Sequence, residues 1–152
     1  MLEYFKKNNL VYYPAKTPKD WEEAIRLSSQ NLITQEYISE KYVEEIIQAI
    51  KNYGPYIVII PNVAMPHAEG NNESVYKSGI SFTKFKRPVI FYDEKENEEK
   101  TAILFFALAA KNAEEHLQNI TNLTELLSNE TLIESLMQTE TLKDFDALLE
   151  KV

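Results

Sequence analysis

The chain has 152 residues, with 16 Lys and Arg against 24 Asp and Glu, a formal net charge of −8. That length suits one domain spanning 1–152, and 44% hydrophobic with 26% charged residues is an ordinary globular composition. An acidic chain without a Lys/Arg stripe argues against a nucleic-acid binder, the lack of cysteine excludes disulfides and thiolate chemistry, and no apolar run reaches the ~20 residues of a membrane span.

In chain order, the N-terminal third reads as helical. Thr17-Pro18-Lys19-Asp20 is a start signal, with Thr17 as N-cap and Pro18 at the first helical position. Trp21, Ala24, Ile25, Ser28 and Leu32 then fall on one face. A second helix begins near Ser39, carries Val43, Ile46, Ile47 and Ile50 as its stripe, and stops at Gly54. The three glycines, Gly54, Gly70 and Gly79, each mark a turn or a close backbone approach. Tyr56–Ile60 is a short β-branched run that reads as a strand buried on both faces. Ser78–Phe85 and Pro88–Tyr92 read as two further strands, and Asp93–Lys100 as a solvated loop. The uninterrupted apolar run Thr101–Ala110 suits a central strand. Helices follow over Ala113–Leu127, Glu130–Met137 and Leu142–Leu149. Helices, then strands, then helices predict an α/β fold: a three-layer α/β/α sandwich around a mixed, roughly five-stranded sheet.

Only two residues, His67 and His116, are of the type whose unperturbed side chain changes charge near neutrality. His67 follows the buried run in Pro61-Asn62-Val63-Ala64-Met65-Pro66-His67-Ala68, where Pro66 restricts both itself and Met65. The small residues Ala64 and Ala68 leave room around the ring. His116 shares a helical stripe with Ile120, Leu123 and Leu127, so it faces the sheet. It lies in the first turn, after an Asn112-x-x-Glu115 capping pattern. The start of a helix after the carboxyl end of a strand is where α/β sheets place ligands, and its free N–H groups favour an anion. Each histidine taken alone is also compatible with an inert loop or core position. No phosphate-binding glycine loop, zinc helix or nucleophile elbow is present. Two histidines do not close a zinc site, so neither metal nor nucleotide cofactor is expected.

The run Gly54-Pro55-Tyr56 through Met65-Pro66-His67-Ala68 resembles the active-site stretch of phosphotransferase-system enzyme IIA domains of the mannitol/fructose-type superfamily, nearest the ascorbate-type branch. The likeness covers the whole chain as a single EIIA type-2 domain: helix pair, strand, Pro-His loop, apolar strand and a second-histidine helix in the same order. It implies that His67 takes a phosphoryl group from the carrier protein HPr, with His116 beside it. The group then passes to a cysteine of a IIB protein, which serves a membrane IIC component. A cytoplasmic location follows from the same resemblance, with no cofactor and no insertion into the membrane. The chain departs from the family's pattern in two places. The stretch Gln48–Tyr53 has no arginine before the loop, and Glu69-Gly70 stands where ascorbate types often have Arg-Pro. Asn112, Lys77 and Lys51 are the candidates to stabilise the phosphate instead. The alternative is a regulatory module that signals through its phosphorylation state without feeding a transporter.

Overall fold

The computed structural model describes residues 1–69 and 73–152; the turn expected at Gly70 lies outside them. Helix α1 (Leu2–Lys7) leads to the short edge strand β1 (Val11–Tyr12), and then to α2 (Trp21–Ser28), α3 (Gln30–Thr34) and α4 (Glu40–Tyr53). Strands β2 (Asn62–Ala64), β3 (Gly79–Asp93) and β4 (Glu98–Ala109) follow, and α5 (Ala113–Leu127), α6 (Glu130–Gln138) and α7 (Leu142–Lys151) close the chain. The sheet has four strands in the order β1-β3-β4-β2. β1 runs parallel to β3, β3 antiparallel to β4, and β4 parallel to β2, so the sheet is mixed.

Successive side chains on β3 and β4 point to opposite faces, as the pleat requires, and both faces are covered. On one, Phe82 and Phe106 pack against each other, against Phe5 of α1, and (Phe82) against Phe145 of α7. On the other, Phe105 meets Phe85 and Phe91, and Phe91 meets Trp21 of α2. All of these phenylalanines are essentially inaccessible to solvent. The expected α/β/α layering is what the chain forms.

The differences from the expected elements have local causes. α2 starts one turn later than expected, because the Asp20 carboxylate, not Thr17, accepts the Glu23 N–H at 2.9 Å. The apolar stripe to Leu32 is split into α2 and α3, because the hydroxyls of Ser28 and Ser29 both turn back onto the Ile25 carbonyl. The run Tyr56–Ile60 is not a strand. Ile57 and Val58 are buried, but Ile59 and Ile60 reach solvent, since the chain reverses through Pro61 and Asn62, whose φ is +69°. The strand is instead Asn62–Ala64, which starts at the reversal, and the sheet has four strands and not about five because two expected strands are continuous. The segments read as two strands, Ser78–Phe85 and Pro88–Tyr92, are one strand with a register shift between Lys84 and Val89. Pro88, which has no N–H to offer a ladder, sits in that irregularity. The solvated loop contracts to residues 94–97, because Asp93 accepts the N–H groups of Lys95 and Glu96 and pairs across to Glu98. β1 was not foreseen, two residues being too short for any periodicity to show.

Gly54 ends α4 at a φ of +83°, a conformation that suits glycine. At Gly79 a Cβ would lie 2.5 Å from the Tyr37 ring, so the β3 entrance needs a residue without a side chain.

Candidate functional site

Because β2 and β4 are parallel neighbours, their carboxyl ends lie side by side at one edge of the sheet. The chain leaves β2 through Met65-Pro66-His67 and leaves β4 through Ala110-Lys111-Asn112 into α5. The parallel pairing therefore brings together two histidines 49 positions apart in sequence: their ring centroids are 5.4 Å apart.

The backbone around His67 is held from three sides. The Leu108 N–H of β4 donates to the Pro66 carbonyl at 2.9 Å, and the Met65 N–H donates to the Ile57 carbonyl at 2.9 Å. The Tyr56 hydroxyl donates to the His67 carbonyl itself, and its ring meets the imidazole edge-on at 5.3 Å. Burial pushes the Tyr56 hydroxyl up to about 12, so it stays protonated and able to donate. On the far side, the buried Tyr42 hydroxyl of α4 donates to the Leu108 carbonyl at 2.7 Å and accepts the Ala68 N–H at 3.2 Å. One phenol thus ties α4, the end of β4 and the residue after His67 together.

The imidazole of His67 is set by the Met65 carbonyl, 2.6 Å from Nδ1. A carbonyl only accepts, so Nδ1 carries the proton and Nε2 keeps its lone pair. Burial lowers the proton affinity of His67, the Met65 hydrogen bond works against this, and the neighbouring His116 lowers it further. At neutral pH the ring is therefore neutral, with Nε2 as a free nucleophilic nitrogen.

His116 sits in the first turn of α5, its N–H donating to the Asn112 carbonyl at 3.0 Å. The helix is anchored to the sheet by the buried Asn119 side chain, whose amide donates to the Ala109 carbonyl at 2.9 Å. Leu123 of the expected inward stripe is buried, with Ile120 and Leu127 partly so.

The pair opens onto a groove of about 870 Å³, whose walls include Glu45, Ala49 and Tyr53 of α4 together with Tyr56 and Glu69. A smaller cavity of about 310 Å³ lies on the other side of His116, against Lys111, Asn112, Ala113, Ala68 and Glu69. The three phosphate-stabilising candidates fare differently. Asn112 lines this smaller cavity, but its amide is engaged in capping α5: Oδ1 accepts the Glu115 N–H and Nδ2 donates to the Glu115 carboxylate. Lys51 pairs with Glu22 at 3.2 Å, and the Lys77 ammonium lies over the Tyr37 ring at 4.3 Å; neither lines the space beside the histidines. Tyr42 and Lys111 were not singled out by sequence reasoning. Tyr42 does carry a readable signal, since it lies four residues before Ile46 on the buried stripe of α4.

The lowered affinity of His67 for protons has a measurable consequence. The unfolded chain takes up this proton near pH 6.5, before the folded chain does. The stability contribution is thus complete above that pH and declines as pH falls through it towards the lower folded value. The His67 ring is expected to titrate below 6.5 in a pH series of imidazole NMR shifts; titration above 6.5 would contradict the buried, Met65-bonded geometry.

Residues 3–152 match the family described as "Phosphoenolpyruvate-dependent sugar phosphotransferase system, EIIA 2". The chain is 37% identical over 136 residues to the mannitol-specific cryptic phosphotransferase enzyme IIA component of Escherichia coli strain K12, covering 89% of this chain and 87% of that protein. It is also 37% identical over 101 residues to the ascorbate-specific PTS system EIIA component of Mycoplasma pneumoniae, covering 66% of this chain and 60% of that one. The solution structure of the E. coli cryptic mannitol enzyme IIA superposes with a TM-score of 0.80 at 31% identity, covering 99% of this chain and 97% of the other. The E. coli complex of enzyme IIAMTL with phosphorylated enzyme IIBMTL gives 0.72 at 28% identity over 94% and 95%. The fold, the paired histidines and these likenesses agree that the chain belongs to the sugar phosphotransferase system EIIA 2 family and is a sugar-specific IIA phosphotransferase component.

Proposed function

We propose that His67 is the phosphoryl acceptor, taking the group from phospho-HPr and passing it to a cognate IIB protein. The observation that carries this reading is the Met65 carbonyl on His67 Nδ1, which leaves Nε2 as the unprotonated ring nitrogen of a residue that lines the groove. In the step proposed, the Nε2 lone pair forms the new N–P bond. The donor's N–P bond breaks in line, and its electron pair returns to the donor imidazole. The proton stays on Nδ1, hydrogen-bonded to the Met65 carbonyl, so no proton has to leave His67 during transfer. Transfer of this kind passes through a loose, metaphosphate-like transition state and asks mainly for alignment and charge stabilisation. The triple anchoring of the loop supports the first, and His116, 5.4 Å away, is placed to donate a hydrogen bond to the phosphoryl oxygens. Onward transfer reverses these bonds, with the acceptor's cysteine sulfur forming the new S–P bond.

The partner assignment is supported by the relative solved together with a phosphorylated IIB protein, and by the groove of about 870 Å³ beside His67, which leaves the acceptor nitrogen approachable by a protein surface. No helix among the described residues is long and apolar enough to cross a membrane; the place proposed for the chain is the cytoplasmic side of a IIC transporter. The test is incubation with phosphoenolpyruvate, enzyme I and HPr, followed by addition of a IIB protein. The wild-type chain is expected to gain one phosphate and lose it again to IIB. Phosphate that is gained but passes to no IIB protein would favour the regulatory alternative. His116→Ala is expected to slow onward transfer by ~100- to 1000-fold, the range of a lost charge-stabilising donor, with little change in melting temperature. Unchanged transfer by that variant would remove His116 from the mechanism.

A further inference from the structure

Lys111 and Glu69 line the cavity of about 310 Å³ beside His116 from opposite chain segments. Lys111 stands at the entrance to α5, and Glu69 lies two residues past His67. Both are exposed, and neither side chain makes an ion pair or hydrogen bond among the described residues. The backbone of Lys111 is nevertheless fixed, its N–H donating to the Ser78 hydroxyl at 3.0 Å. An anchored backbone with an uncommitted ammonium sets Lys111 apart from Lys51 and Lys77, whose charges are engaged elsewhere. Glu69 also lines the larger groove beside His67, so this residue borders both spaces beside the histidine pair.

A phosphoryl group on His67 brings close to two negative charges into the groove that Glu69 lines, beside His116, whose other neighbouring cavity Lys111 lines. A relay protein must hold the group only loosely, because a site that is too cationic would trap it and one that is too anionic would refuse it. We propose that Lys111 and Glu69 set the phosphoryl-transfer potential of His67 with opposite signs: the Lys111 ammonium stabilises the phosphorylated form and the Glu69 carboxylate destabilises it. This rests on the reading of His67 as acceptor. Neither residue makes or breaks a bond; each acts through its charge. By Coulomb's law a unit charge about 6 Å from a near-dianion in water changes an equilibrium constant on the order of tenfold, and salt screens the effect.

The test is the equilibrium between phospho-HPr and the full chain, read by intact mass at low salt and at ~1 M salt. Lys111→Gln is expected to lower the exchange constant about tenfold and Glu69→Gln to raise it about tenfold, with the double variant near wild type. Lys111→Arg is expected to keep the wild-type value, and both single shifts are expected to shrink at high salt. Lys95→Gln, at a residue that lines neither space beside the histidines, is expected to change nothing. Single variants that leave the constant unchanged, shift it in the same direction, or shift it independently of salt would overturn the proposal. Lys111→Met and Glu69→Ala repeat the test if a glutamine variant melts early. His67→Ala run in parallel keeps the two readings apart: if it still takes up phosphate, the acceptor assignment has failed; if it takes up none while Lys111 and Glu69 variants match wild type, only the charge pair has failed.

Discussion

His67→Ala is expected to take up no phosphate from phospho-HPr while the protein still folds. Loss is expected to be complete because no other nitrogen in the site has the same preparation. His116 lies 5.4 Å away by ring centroid, but its ring has no carbonyl partner among the described residues comparable to the Met65 oxygen on His67. Survival of the fold is expected because the loop is held through backbone groups, the Pro66, His67 and Met65 amide units, and alanine retains these. The imidazole itself contributes one hydrogen bond, an edge-on contact with Tyr56 and a tilted contact with His116, so its removal costs about 1–2 kcal/mol. Intact mass under alkaline conditions, paired with a thermal melt, reads both parts. A variant that takes up phosphate at the wild-type rate would refute the assignment, and one that fails to fold would refute the account of how the loop is held.

Tyr42→Phe carries the second large effect, although this residue touches neither histidine. Its hydroxyl satisfies the Leu108 carbonyl at 2.7 Å and the Ala68 N–H at 3.2 Å. Phenylalanine fills the same volume but leaves both groups without that partner. An unsatisfied buried polar group costs about 1–3 kcal/mol, which for a domain of this size lowers the melting temperature by roughly 2–12 °C. The functional cost is expected to exceed what stability alone explains. With the loop no longer clamped after His67, the acceptor nitrogen loses its alignment, and misplacement by about 1 Å reduces transfer by up to ~100-fold. The expected signature is a fall in the maximal transfer rate with little change in the HPr concentration needed for half-saturation. A Tyr42→Phe protein with wild-type stability and rate would show that the clamp is idle.

How much of this could be read from the sequence depended on how local each signal was. α5 and its cap follow from Asn112-x-x-Glu115 and an uninterrupted stripe, and the structure starts and stops that helix where the pattern does. The α/β/α layering follows from the order of apolar runs. The Pro66-His67 run and the inward place of His116 are each contained in a few neighbouring residues, so both could be singled out. The run Tyr56–Ile60 was misread because its composition is that of a strand, while its geometry is set by the reversal at Pro61 and Asn62. The shift between Lys84 and Val89 is a property of pairing with β4, and nothing in the β3 sequence displays the register of its partner. Lys51 and Lys77 were drawn in by sequence proximity to the loop, but tertiary partners, Glu22 and the Tyr37 ring, hold them elsewhere. Lys111 lies 44 positions from His67 in sequence and reaches its neighbourhood only because β2 and β4 are parallel neighbours.

The central claim is that the Met65 carbonyl holds the proton on Nδ1 and so selects Nε2 of His67 for chemistry. Its most direct test is nitrogen NMR of the protein labelled at the histidine ring nitrogens, recorded before and after phosphorylation by phospho-HPr. The unphosphorylated spectrum is expected to show His67 protonated on Nδ1 at neutral pH, and the phosphorylated one to show the N–P bond on Nε2 of His67 with His116 unmodified. A phosphate on Nδ1 of His67, or on either nitrogen of His116, would contradict the account.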